Sequence, residues 1–403
     1  MQNTKNRYDR KIFAIASFAL AFGVGHYEKY ITIAFIVAYC VSYLLSHQKR
    51  CVLYRNSEGI SLLLWGSTYV FYEIMYGADP ITSAVYFLIG PMCLYLYADQ
   101  MVTPDTNEQD IVKLCLIISA GYFLHGILSI LVSIRLGAFQ INAERVLDFW
   151  SHEKHPRTLT GMYITLIFLC GVPTVLFLGD YIKKTMRLLI MASCCVSIIA
   201  SIYVGNRSLL VIAAVTVFLC LAQGTMISKK KGSIIVVSLF LVMLALIMIQ
   251  MDAFDLLEFV QNSFLAKREN TGLSSSRWRV YGDVAENIWA YRFGFLSTQG
   301  SSGIALSYAH NLWLDVLIFS GYIPFVLLVI FTLKVIAVAI RMQRRQVTVG
   351  YRILVLCTTA GILLNWAVEP VLSANPYYFM QCCCIFALFE KHERILKHSR
   401  EML

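Results

Sequence analysis

Apolar residues run along this chain in long unbroken blocks, not at alternate positions, and short polar connections separate the blocks. A helix needs about 20 predominantly apolar residues to cross roughly 30 Å of hydrocarbon. About twelve blocks qualify as expected spans: residues 12–25, 30–46, 60–76, 81–98, 111–135, 159–178, 187–204, 208–224, 232–251, 309–333, 350–368 and 375–389. Residues 187–224 as one helix would be roughly 57 Å long at about 1.5 Å per residue, far beyond a bilayer. Gly205 and Asn206 supply a turn near its middle, so the block is expected to be a hairpin with Arg207 at its tip. Unbroken runs also argue against a transmembrane β-barrel, whose strands alternate. The expected fold class is all-α: a polytopic helical membrane protein, one integral-membrane domain over 1–403.

Composition agrees. Of 403 residues, 58% are hydrophobic and only 14% charged, against roughly 45–50% and about 25% in soluble proteins. All the cysteines but Cys51 fall in apolar stretches, and none forms a CxxC pair at metal spacing. They are expected to pack between helices rather than form disulfides or hold zinc. The first apolar stretch lacks a small-residue cleavage site and is expected to be a span rather than a signal peptide.

The net charge of +10 would suggest nucleic acid in a soluble protein. Here it sorts by connection. One alternating set holds Lys5, Arg7, Arg10, Lys49, Arg50, Lys183, Lys184, Lys229, Lys230, Arg341, Arg344, Arg345 and the C-terminal Lys391, Arg394, Lys397 and Arg400. The other set is poorer in Lys and Arg. The positive-inside bias therefore places both termini in the cytoplasm and accounts for the charge without a nucleic-acid partner.

Two outward segments are too long to be turns, 136–158 and 252–308. The second is the large extracytoplasmic loop. It opens on a run with Phe254, Leu257, Phe264 and Leu265 that suits an amphipathic surface helix. After a polar break, Arg277, Tyr281, Val284 and Ile288 share one face at helical spacing, with serines 274–276 as N-caps. His125, inside the fifth span, is expected to bond to a neighbouring helix.

Three kinds of candidate residue fall on the outer side. Arg207 sits at the hairpin tip, Arg277 and Arg279 open the loop helix, and His310 with Asn311 stands at the outer mouth of the tenth span. Arg277 in a first helical turn suits a phosphate, because unpaired N–H groups and the helix dipole aim the same way. It is equally readable as a solvated arginine or as one paired to Asp283 or Glu286. Arg207 is readable as a turn arginine snorkelling to headgroups. Arg279, two residues on, leaves the helix at a different angle. His310 alone reads as a hydrogen-bonded structural residue. Asp283, Asp315 and Glu369 are the nearby outer carboxylates. No nucleotide or metal motif is present.

The run SSSRWRVYGDVAENIWAYRFGF, the run AHNLWLDVLIFSGYIP, and Gly205-Asn206-Arg207 at the start of a span together resemble the O-antigen polymerase and O-antigen ligase superfamily. The resemblance covers about residues 200–330. Tyr281 stands where the pattern often has Trp, and the turn near 294–303 is irregular.

The resemblance implies an integral-membrane, metal-independent, inverting glycosyltransferase with no cofactor. Its partners would be a polyprenyl-diphosphate-linked glycan donor and acceptor, membrane lipids and other polysaccharide-assembly proteins. On that reading His310 is the base, and Arg207 and Arg277, with Arg279 secondary, hold the diphosphate. Asn311 and Tyr281 support them, and the site faces outward. The expected function is polymerisation of lipid-linked repeat units into O-antigen, capsule or exopolysaccharide. A ligase that delivers finished glycan to a lipid A core or a protein is the alternative, and a polysaccharide or lipid-linked oligosaccharide transporter is the second.

Overall fold

A computed structural model describes residues 2–45, 57–138, 145–227, 281–282, 284–294 and 309–401. These residues are mostly helical, with one small hairpin, and six helices are long and apolar enough to cross a membrane. They are 80–101, in which a π-turn joins α4 (Pro80–Ala84) to α5 (Gly90–Met101), then α6 (Glu108–Arg135), α7 (Arg157–Phe177), α8 (Lys184–Val204), α11 (Tyr322–Met342) and α12 (Val349–Val368). Helices also stand at other expected positions: α1 (Gln2–Ala21), α2 (Glu28–Leu45), α3 (Ser57–Met75), α9 (Arg207–Ile227), and α14 (Pro376–Glu401) after the short α13 (Val371–Ala374). The expected span 232–251 lies outside the described residues. The described residues are thus those of a helical protein with six helices long and apolar enough to cross a membrane, which suggests a membrane-embedded chain.

Two compact units divide the chain. The first comprises 1–121, 275–346 and 365–403. Its centre is α14, where Tyr378 to Phe389 form an unbroken buried run. A helix buried on every side needs no polar face. Phe379 meets Trp65 and Trp366 at ring-centroid distances of 4.9 and 5.1 Å. Beyond Phe389 the same helix turns polar and enters an ion-pair network. Glu393 takes Arg345 and, at 3.5 Å, Arg341; Arg341 also reaches Glu58 at 3.5 Å; Asp99 takes Arg394 and, at 3.1 Å, Lys391.

One expected span is corrected here. Residues 309–333 are not one continuous helix but two, α10 (Leu312–Ser320) and α11, broken at Gly321 with φ of +81°. Trp313 Nε1 donates to Thr332 Oγ1 at 3.0 Å. Nineteen residues apart in a straight helix, these groups would be roughly 28 Å apart. The chain therefore folds back at Gly321, and the N-terminal end of α10 lies beside the middle of α11. A left-handed φ is open to glycine at little cost, and a Cβ on Gly321 would come within 2.6 Å of the Arg292 carbonyl oxygen.

The second unit comprises 122–274 and 347–364. In it α8 and α9 both pack on α7. Antiparallel strands β1 (Arg145–Leu147) and β2 (Lys154–Pro156) form the hairpin. His125, Ser129 and Ser133 lie at i, i+4 and i+8 on α6, one stripe of the helix. Each bonds to the hairpin segment: His125 Nε2 to Asp148 Oδ2 at 2.7 Å, Ser129 Oγ to the Phe149 N–H at 3.0 Å, and Ser133 Oγ to the Leu147 N–H at 2.7 Å. The expected helix-to-helix bond of His125 is thus a helix-to-hairpin bond. Cys220 and Cys357 are buried together with Ile353, packing between helices.

Candidate functional site

His310 immediately precedes α10 and holds φ of +53°, a strained value for a residue with a Cβ. The groups on either side of it fix that conformation. Asn311 is the N-cap, its Oδ1 accepting the Leu314 N–H at 3.1 Å. Asp315, buried one turn into the helix, accepts the Ala309 N–H on Oδ1 at 2.7 Å. The backbone is therefore pinned both before and after His310, and the imidazole is half-buried.

Asn311 has a second task. Its Nδ2 donates to the Ala367 carbonyl at 3.1 Å, and Tyr281 Oη donates to the same oxygen at 3.5 Å. That carbonyl lies in the last turn of α12, where helical carbonyls lack an intrahelical partner. The two sequence runs, one around 281 and one around 310, thus meet at one acceptor. Val284, Tyr291, Ala309, Leu317 and Ile318 bury their side chains together beneath them.

The loop helix departs from its expected face at Ile288. Tyr281 and Val284 keep the expected common face, which turns inward, but Ile288 is exposed and Tyr291 is buried instead. The chain leaves α-helical pitch at Asn287 and continues as a 3₁₀ turn over Ile288–Phe293. Three residues per turn instead of 3.6 moves the inward position to another residue.

Arg207 begins α9 in the second unit, and nothing is described of its side chain. The turn before it is tightly built. Gly205 has φ of +72°, Ser201 Oγ donates to the Asn206 carbonyl at 2.6 Å, and Asn206 Oδ1 accepts the Leu209 N–H at 3.0 Å as an N-cap. The Asn206 amide lies against Gly161 of α7, where any Cβ would collide with it. The expected hairpin turn ahead of Arg207 is present. Arg277, Arg279, Asp283 and the run 254–265 lie outside the described residues.

Two residues near these positions gain roles that sequence reasoning did not assign. Asp315 was only a candidate carboxylate; the signal for its clamp is an acidic residue in the first turn after an Asn cap. Arg157, buried at the start of α7, reaches the Val204 carbonyl at 3.4 Å, at the C-terminal end of α8. A cation suits a helix C-terminus, but nothing in sequence spacing pairs 157 with 204.

Asp148, in the turn between β1 and β2, is buried, yet its carboxyl is held well below the ordinary carboxylate range. Desolvation opposes ionisation; hydrogen bonds from His125, Ser151 and Trp150 and the His125 charge outweigh it. Among the described residues no group of three or more His, Cys, Asp or Glu side chains could hold a metal ion.

No protein-family model matches the sequence, and a search among curated proteins returns no significant match.

Proposed function

We propose that this chain is a membrane glycosyltransferase. It extends a surface polysaccharide by transferring a glycan from a polyprenyl diphosphate onto the next lipid-linked repeat unit at the outer face of the cytoplasmic membrane. The acceptor hydroxyl oxygen attacks the anomeric carbon as the carbon–oxygen bond to the diphosphate breaks. The bonding pair leaves with the diphosphate, and His310 takes the hydroxyl proton. Arg207 and Arg277 stabilise the departing charge, with Arg279 secondary. Attack opposite the leaving group inverts the anomeric centre.

One observation carries the reading: Tyr281 and Asn311, from the two resembling runs, hydrogen-bond to the same Ala367 carbonyl. This places the segment that follows Arg277 in sequence against the segment that presents His310. The test is purified protein with a polyprenyl-diphosphate-linked donor and acceptor. New glycosidic bonds are expected from the wild type and none from His310→Ala at equal protein level. Full-length polymer from His310→Ala refutes the assigned base. A ligase shares this donor chemistry; polymer left on its lipid carrier when the gene is lost identifies the ligase, and single repeat units attached to the acceptor identify the polymerase.

The fold-back of α10 beside the middle of α11 favours a second reading, a transporter of lipid-linked oligosaccharide. Broken helices with an end at membrane depth are a transporter device. Transport without bond formation in the same assay selects that reading.

A further inference from the structure

A cleft of about 630 Å³ opens in the first unit where the C-terminal end of α3 meets the 3₁₀ turn Ile288–Phe293. Its walls are Phe71, Tyr72, Met75, Trp289, Phe293 and the aliphatic stem and head of Arg292. Trp289 is 80% exposed, so its ring is open to an apolar ligand entering the cleft. The framework beneath is fixed. Tyr76 Oη bonds to the Phe293 carbonyl, and Tyr322 Oη donates to the Ile288 carbonyl at 2.7 Å. The cleft therefore lies at the Tyr322 end of α11, away from the Arg341 and Glu58 ion pairs at its other end.

The chemistry of the lining selects the ligand. Arg292 has its guanidinium carbon 5.6 Å from the Phe293 ring centroid and, among the described residues, no carboxylate partner. The nearest acidic neighbour in α3, Glu73, does not line the cleft and bonds to Tyr69. The lining holds one charged group and no amide or carboxylate side chain. One cation above an apolar aromatic wall suits an amphiphile with a phosphate head. Further down α3 the same side carries more exposed apolar side chains, with Ser67 and Thr68 between Leu64 and Phe71. Met75, Phe71 and Leu64 share one face and are all exposed, covering roughly 16 Å at about 1.5 Å per residue.

We infer that this cleft binds the phosphate headgroup of an anionic membrane amphiphile, with Arg292 on the phosphate, Trp289 and Phe293 against the glycerol or first isoprene, and the chain lying along α3. The source of the phosphate is either a glycerophospholipid or a polyprenyl phosphate. The glycerophospholipid source needs only a membrane-embedded chain, whereas the polyprenyl source rests on the proposed glycosyl transfer.

The test is native mass spectrometry of the detergent-solubilised full chain, titrated separately with phosphatidylglycerol, phosphatidylcholine, undecaprenyl phosphate and inorganic phosphate. Wild type is expected to retain the anionic lipids over phosphatidylcholine. Arg292→Gln is expected to lose that retention by about tenfold or more, and Arg292→Lys to keep part of it. Arg344→Gln, an exposed arginine beyond the far end of α11, is expected to change nothing. Preference between phosphatidylglycerol and undecaprenyl phosphate assigns the source. No anionic preference in wild type, equal retention by Arg292→Gln, or inorganic phosphate bound as well as the lipids overturns the inference. Because the readout is binding, loss of the glycosyltransferase reading leaves this result standing, and the reverse.

Discussion

Trp313 Nε1 donates to Thr332 Oγ1 across 3.0 Å, and that bond requires the chain between them to reverse. The reversal at Gly321 sets the level of His310: beside the body of α11, not at the end of a continuous span.

Gly321 is therefore the position where a small change costs most. Gly321→Ala must hold a left-handed φ and displace the Arg292 carbonyl, so a loss of about 1–3 kcal/mol is expected. Gly282→Ala, with nothing within 4 Å of its added methyl, is expected to be neutral or slightly stabilising. Thermal unfolding of both variants in one detergent checks this; equal melting temperatures refute the strained turn.

Asn311 joins two functions that separate by substitution. Asn311→Asp keeps the cap on Leu314 but removes the donor to Ala367, whereas Asn311→Ala removes both. The alanine variant is expected to lose about 1–2 kcal/mol through the cap alone. The aspartate variant is expected to retain the cap while a carboxylate now faces the Ala367 carbonyl, loosening Tyr281 and its helix. Protection of the Leu314 amide from hydrogen exchange in Asp but not in Ala verifies the split.

The hairpin at 145–156 is expected to respond to acid. Asp148 is ionised more readily in the folded chain than in an unfolded one, so its contribution is present above the ordinary carboxylate pKa of about 3.9. That contribution fades as pH falls below this value toward the lowered folded one. Exchange of the Leu147 and Phe149 amides, corrected for intrinsic rates, should accelerate on going from pH 7 to pH 3. In Asp148→Asn this acceleration should be absent. An unchanged pH response in Asp148→Asn refutes the role of the carboxylate.

Under the proposed reaction, Arg277→Lys keeps a charge but loses the planar fork that grips a diphosphate. Polymer formation is expected to fall by tenfold or more, a loss of about 1.4 kcal/mol or above in transition-state stabilisation. Gly161→Ala tests Arg207 indirectly. Its methyl would displace the Asn206 amide that caps α9, so stability and polymer yield should fall together. Wild-type yield from either variant counts against the corresponding arginine.

Much was legible from sequence because hydrocarbon imposes a length on every crossing helix. The paired helices α8 and α9 follow from a block too long to cross once and from the turn chemistry of Gly205 and Asn206. The inward face of Tyr281 and Val284 follows from helical periodicity. Ile288 did not follow, because a change of helical pitch leaves no mark in an apolar pattern. Nor did the bond of His125 to Asp148, since a buried histidine announces a partner but not which one.

By itself the sequence determined that the chain is built of helices long and apolar enough to cross a membrane, roughly where they run, and that Gly205 and Asn206 turn the chain between two of them. Those properties are local: they depend on the run of apolar residues, on glycine's tolerance of positive φ, and on side chains that bond within a few positions. Only the tertiary structure decided that α10 doubles back on α11, that Asn311 and Tyr281 share one carbonyl, and that Asp315 holds the backbone ahead of His310. The shared carbonyl and the fold-back join groups brought together by packing, at separations along the chain that no periodicity encodes; the Asp315 clamp, though close in sequence, exists only because the chain turns sharply at His310.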